Sequence, residues 1–259
     1  MTTQPSRTLA GPTGRLPAFL AHLAISLVVA ALVAALIFGV WYPGPFRQLA
    51  GGTHLFVLIA AVDVTLGPLL TLVVFDRRKR RRELVTDLSV IALLQAAALS
   101  YGVWTMAVAR PVHLVFEVDL FRVVTAADLD DESLAAAPAA LRALPWTGPT
   151  VIGVTKPQAA DELLESMLAG AAGVQLAMLP KQWVPYEQVR AQAIARSSPL
   201  AALGADAARV PEQLIAWGPA PPPAPSALRW LRVMASRAAW VAFIDDQGTP
   251  VGFAPFDPP

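Results

Sequence analysis

Within the second of three long apolar stretches stands a single carboxylate, Asp63, in the run Ala61-Val62-Asp63-Val64-Thr65. A carboxylate at the centre of a bilayer costs about 2.5–3.5 kcal/mol even on the lenient insertion scale, so Asp63 requires a partner. Gln95 in the third stretch is the best one within the chain. Asp63 precedes Phe75, the end of its stretch, by about as many residues as Gln95 follows Leu84. At ~1.5 Å per residue both then lie roughly 17 Å deep on antiparallel neighbours. Such a pair could lock two helices together, present a carboxylate to another protein's membrane segment, or relay a proton. Four residues further on, Gly67-Pro68 removes a side chain and a backbone donor. This predicts an interrupted helix whose freed groups neighbours or a partner must satisfy.

Little else in the chain is arranged for chemistry. His22, His54 and His113 are scattered, without carboxylates at ligand spacing, so no metal site is assigned. There is no cysteine, hence no thiol nucleophile, disulfide or thiolate ligand. The nucleophile elbow, the phosphate-binding loop and the dinucleotide-binding glycine pattern are all missing. Asp128, Asp130, Asp131 and Glu132 resemble paired catalytic carboxylates in type, yet their polar setting before Leu134 reads as a solvated loop or a helix N-terminus. The chain is therefore read as no enzyme, with no cofactor and no metal.

The elements that must position Asp63 and Gln95 follow from hydropathy. Apolar residues make up 55% of 259 and mean hydropathy is +0.52, an excess that sits in the first 110 residues. Ala18 to Trp41, His54 to Phe75 and Leu88 to Ala109 are each of spanning length. The first could be a cleaved signal, but its apolar stretch exceeds a signal core and no small-residue cleavage site follows it. Ala30, Ala31, Ala34 and Ala35 give it a small-residue face for close packing. Arg7 and Arg15 precede this span, and Arg77, Arg78, Lys79, Arg80, Arg81 and Arg82 lie between the second and third. By the positive-inside rule the tail 1–17 and the basic loop 76–83 are cytoplasmic, and everything after the three-span region 18–110 is outside. Trp41, Tyr42, Tyr101 and Trp104 fall where aromatic anchors belong at the outer interface. A net charge of +1, with its basic excess confined to one loop, excludes a nucleic-acid-binding domain. The same six charges could also hold anionic lipid head groups.

Residues 111–259 have the size of one domain, and the reading is α+β. Val112 to Val118 and Thr150 to Val154 are predicted strands; Gln158 to Ala169 and Tyr186 to Arg196 are predicted helices. Gly218 to Pro225 is a proline-rich connector. Ala227 to Met234, Ala239 to Ile244 and Val251 to Phe256 follow as strands, with Asp245-Asp246-Gln247-Gly248 turning a terminal hairpin. The fold class is thus three transmembrane α-helices followed by an extracytoplasmic α+β domain with a C-terminal β-hairpin.

Several runs carry a likeness together: Trp41-Tyr42-Pro43-Gly44-Pro45, the segment from Asp63 through Gly67-Pro68 to Phe75, Asp87 to Gln95, Arg110-Pro111, and Val115 to Asp119. Over roughly residues 16–122 the chain resembles the type IV pilin accessory proteins of the TfpX/TfpZ group. The resemblance implies a non-catalytic helper in the bacterial inner membrane that stabilises one pilin or promotes its entry into the pilus. The implied partners are that pilin, through its membrane helix and head, and the bilayer. The family supplies no contact residues that map here, so Asp63, Gly67, Pro68, Gln95, Trp41, Tyr42 and Pro43 are candidates on physical grounds. Competing readings are a sensor or ligand-binding subunit, for which no cytoplasmic output domain is present, and a membrane enzyme, for which the spans hold too few polar residues.

Overall fold

The computed structural model describes residues 14–157, 159–171, 173–218, 221–235 and 239–257. The tail carrying Arg7, Gln158 at the expected start of a helix, and residues 219–220 of the proline-rich connector lie outside them. Helix α1 (Arg15–Leu36) runs on into a π-helical turn at Ile37–Trp41, and a short α2 (Phe46–Leu49) leads to α3 (Gly52–Val74) and α4 (Arg81–Val108). With its π turn α1 has 27 residues, α3 has 23 and α4 has 28, against the ~20 that a hydrocarbon core of about 30 Å requires. The three transmembrane-type helices expected from composition are present.

Two sequence expectations need correction. Helix α3 passes through Gly67-Pro68 without a break, because in hydrocarbon a proline's one lost hydrogen bond costs less than opening further backbone groups. Helix α4 starts at Arg81, inside the loop expected over 76–83, so the basic loop's last residues are helical; Glu83 lies in its first turn, where a negative charge suits the helix dipole.

The chain divides into two compact units, one holding residues up to Ala34 with Phe56–Trp104, the other Ala35–Leu55 with Thr105–Pro259. In the first unit the buried residues are few, among them Ser26, Gly67 and Thr71, which are small or polar, and Ile91. Outward lie Leu27, Val28, Leu32, Leu58, Leu69, Val73, Leu93 and Leu94, all largely exposed as lipid-facing side chains are.

The second unit is a nine-stranded mixed sheet. Its strands are β1 (Pro111–Glu117), β2 (Leu120–Thr125), β3 (Thr150–Val154), β4 (Trp183–Pro185), β5 (Ser198–Pro199), β6 (Ile215–Ala216), β7 (Arg229–Met234), β8 (Ala239–Ile244) and β9 (Pro250–Ala254). The order is β4-β3-β1-β2-β7-β8-β9-β6, with β5 beside β7; β1–β3 and β2–β7 are parallel and the other pairs antiparallel. Helices α5 (Asp131–Ala135), α6 (Ala160–Ala171), α7 (Arg190–Arg196) and α8 (Val210–Gln213) lie between strands. Asp130 caps α5 by accepting from the Ser133 N–H at 2.7 Å, and Asp128 closes a similar box with Thr125. The acidic cluster thus starts helices. Tyr186 to Arg196 is a 3₁₀ turn followed by α7 and not one helix.

Every residue of β1 is buried, so the sheet is covered on both faces. Alternation sends Leu114 and Phe116 to one core with Phe121, Leu231, Val233 and Phe253, and Val115 to the other with Val124, Ile152 and Trp183. The first of these cores also takes residues from far earlier in the chain. Phe46 and Leu49 are fully buried in it, and the Phe46 ring meets Trp217 and Phe253 edge-on at 5.2 and 5.5 Å. Gly148, at φ +85°, closes over Pro43, whose Cγ would stand 2.7 Å from any Cβ placed there. The connection between the first two long helices is therefore part of the sheet domain.

Candidate functional site

Asp63, Gly67 and Thr71 recur every four residues on α3, which puts them on one helix face. Gln95 of α4 lies against that face. Its amide Nε2 donates to the Asp63 carboxylate Oδ1 and to the Asp63 carbonyl, each at 3.3 Å. The amide's other end accepts from His22 of α1, whose Nε2 is 2.7 Å from Gln95 Oε1, and His22 Nδ1 is 2.5 Å from Thr71 Oγ1. Because the Gln95 nitrogen is committed to Asp63, its oxygen needs a donor, and this fixes the proton on His22 Nε2. In that tautomer Nδ1 accepts from the Thr71 hydroxyl. Donors point one way along the chain, from Thr71 through His22 and Gln95 to Asp63, and three helices are joined by it.

Gly67 is what allows this. A Cβ at that position would lie 2.0 Å from Gln95 Nε2, inside any permitted contact. Pro68 is buried beside it. Asp63 ends the hydrogen-bond chain at the rim of the packed face: it is half-buried, between Val62 and Leu66, which are 45% and 54% exposed.

Trp41 is half-buried and Pro43 packs against Gly148. Tyr42, expected as an interface anchor, is fully buried, and its hydroxyl donates to the Met106 carbonyl at 3.0 Å. Burial raises its pKa well above the ordinary phenol range, against the opposing pull of the Arg110 charge. A phenol so enclosed packs the domain and anchors nothing in the interface. Tyr101 and Trp104 are 68% and 59% exposed. Arg110, whose pKa burial lowers, donates to the Ala107 carbonyl at 2.8 Å and lies 4.1 Å over the Trp146 ring; it caps the end of α4.

The sequence weighs His22 only as a metal ligand, and neither it nor Thr71 is among the candidate contact residues. A signal existed, since His22 and Ser26 are polar residues one turn apart in an apolar span, and an intramembrane ionisable group is a site candidate by default. Sharing a rarity with two distant histidines concealed it. Those two stand apart in the structure: His54 is exposed, and His113 is buried against Trp183 in the sheet domain.

Three membrane-type helices tied by a part-buried hydrogen-bond chain, leading into an α+β domain, define the class of protein. Residues 12–51 match the model of the family described as fimbrial assembly protein FimB. The fimbrial assembly protein of serogroup I from Dichelobacter nodosus is 37% identical over 180 residues, covering 70% of each chain. That of serogroup E1 is 36% identical over the same length and shares. The protein of serogroups C1 and C2 is 44% identical over 108 residues, 42% of this chain and 82% of that one. The chain belongs to this fimbrial assembly protein family, in agreement with its resemblance to type IV pilin accessory proteins. No solved structure matches it.

Proposed function

We propose that this chain acts in type IV pilus assembly as a non-catalytic helper of the bacterial inner membrane, holding one pilin before it enters the pilus. The N-terminus and basic loop 76–83 are cytoplasmic in this reading, and the domain from residue 111 is periplasmic. The relatives' printed role in fimbrial assembly supports the process, and the charge distribution supports the orientation.

The observation that carries the pilin contact is the position of Asp63. Its carboxylate receives one long hydrogen bond from Gln95, and it stands at the rim of the three-helix face beside exposed Val62 and Leu66. A carboxylate there is compensated best by a polar group on another membrane helix at the same depth. A pilin awaiting assembly offers one such helix, with its head on the outer side.

Deleting the gene is expected to lower the level or surface display of one co-encoded pilin while leaving the motor proteins of the pilus unchanged. Asp63→Asn keeps an acceptor for Gln95, so abundance should stay near wild type while pilin co-purification falls at least tenfold. Normal piliation with that pilin in the deletion strain would refute the function, and undiminished co-purification with Asp63→Asn would remove Asp63 from the contact.

A further inference from the structure

Helix α6 turns an apolar face to solvent. Leu163, Leu164, Met167 and Leu168, spaced as one helical stripe, are 48%, 59%, 65% and 63% exposed. The opposite side faces the domain, where Ser166 borders a pocket of about 120 Å³ with Ala136, Leu179 and Gln182. A contiguous stripe of large uncovered side chains marks an interaction surface.

Topology and charge select its occupant. β1 begins three residues after α4 ends, and β3 runs parallel to it with Gly153 beside Phe116. α6 therefore leaves from the end of the sheet at which β1 also ends. It also returns there: Pro157 before it and Leu176 after it line one cleft of about 360 Å³ with Val118 and Gln192. Val118 itself holds φ +61° as the centre of a three-residue turn, with the Asp119 N–H donating to the Glu117 carbonyl at 2.7 Å. That is strain which a β-branched residue rarely carries. Helices that lie on bilayers carry Lys and Arg on their polar side. α6 has Asp161, Glu162 and Glu165 and no basic residue. A second copy would bring the same acidic helix against it, like charge facing like. What remains is a protein with an apolar segment bordered by basic side chains, the helix-face mode of recognition.

We propose that the Leu163-Leu164-Met167-Leu168 face of α6 grips the part of the pilin outside the membrane, at an apolar segment flanked by Lys or Arg. This rests on the reading of the chain as a pilin helper. In the full-length protein, a photo-crosslinking residue at Leu164 or Met167 is expected to capture the co-encoded pilin in cells, as is one at Leu66 in the span. Leu164→Arg/Met167→Arg should leave abundance unchanged and reduce capture of pilin from Leu66 at least fivefold. Leu164→Glu/Met167→Glu, which keeps the acidic character, should lose less. Capture from Leu66 without capture from α6 overturns the inference and spares the function. Capture from neither position overturns both. Cross-links from α6 to a second copy or to lipid, or equal losses in the Arg and Glu pairs, also overturn it.

Discussion

Gly67 decides whether three helices can share one hydrogen-bond chain. Gly67→Ala must displace the Gln95 amide, freeing Asp63 and His22 together, and should lower the detergent stability of the membrane unit by about 1–3 kcal/mol, the usual cost of orphaning buried polar groups. Asp63→Leu and Gln95→Leu should each do similar harm, and the double change should recover part of it. Interhelical hydrogen bonds in membranes average only about 0.6 kcal/mol, so the abandoned partner dominates the single-mutant loss. Double-mutant thermal unfolding in detergent measures this; strictly additive losses would remove the coupling. The pairing of Asp63 with Gln95 was legible because two polar residues at matching depth can be counted along apolar runs. His22 was not, because nothing in one span's sequence states which face meets its neighbours. His113 makes a separate, titratable prediction. Burial lowers its pKa from 6.5 to about 4, so the folded state favours the neutral ring, and between these values the unfolded chain binds the extra proton. Stability is therefore fully present above pH ~6.5 and falls by about 3 kcal/mol as pH drops to ~4, at 1.36 kcal/mol per unit. His113→Phe, which keeps an aromatic ring against Trp183, should flatten that slope in pH-dependent unfolding.

Among the elements, α2 has the largest consequence for its length. Phe46→Ala removes a fully buried ring from the main core of the sheet, at about 3–5 kcal/mol. Residues 111–259 expressed alone should then fail to give a cooperative unfolding transition, whereas the full chain should show one. A well-folded isolated fragment would contradict the role of α2. Short continuous apolar runs bounded by turn residues, such as β8 and β9 around the Asp245–Gly248 turn, could be read directly. β2 could not, because Arg122 breaks its apolar run; only the structure shows that this charge is half-buried and paired with Glu117 at 2.7 Å. Nor did the sequence indicate that Trp41-Tyr42-Pro43-Gly44-Pro45-Phe46 would pack into a domain whose strands start more than sixty residues later. Its aromatics read equally well as membrane anchors, and burial of Tyr42 is a tertiary fact.

At the level of the whole molecule the orientation is open to a direct check. A reporter enzyme active only outside the cytoplasm should work when fused at Pro259 and stay silent after Arg80; the reverse would overturn the proposed topology. The threading of α2 into the sheet then has a consequence in time. A ribosome delivers Phe46 long before Leu231 and Phe253, the residues that enclose it. In the proposed topology, the basic loop and two further crossings must be completed between those events. The sheet core cannot close until the last strand arrives, and it closes around a segment that reaches the outer side only if the first crossing ran in the right direction. A wrongly threaded nascent chain would hold an incomplete core, with apolar surface open to proteases. Correct insertion and survival are thereby coupled, and the fold itself supplies the proofreading.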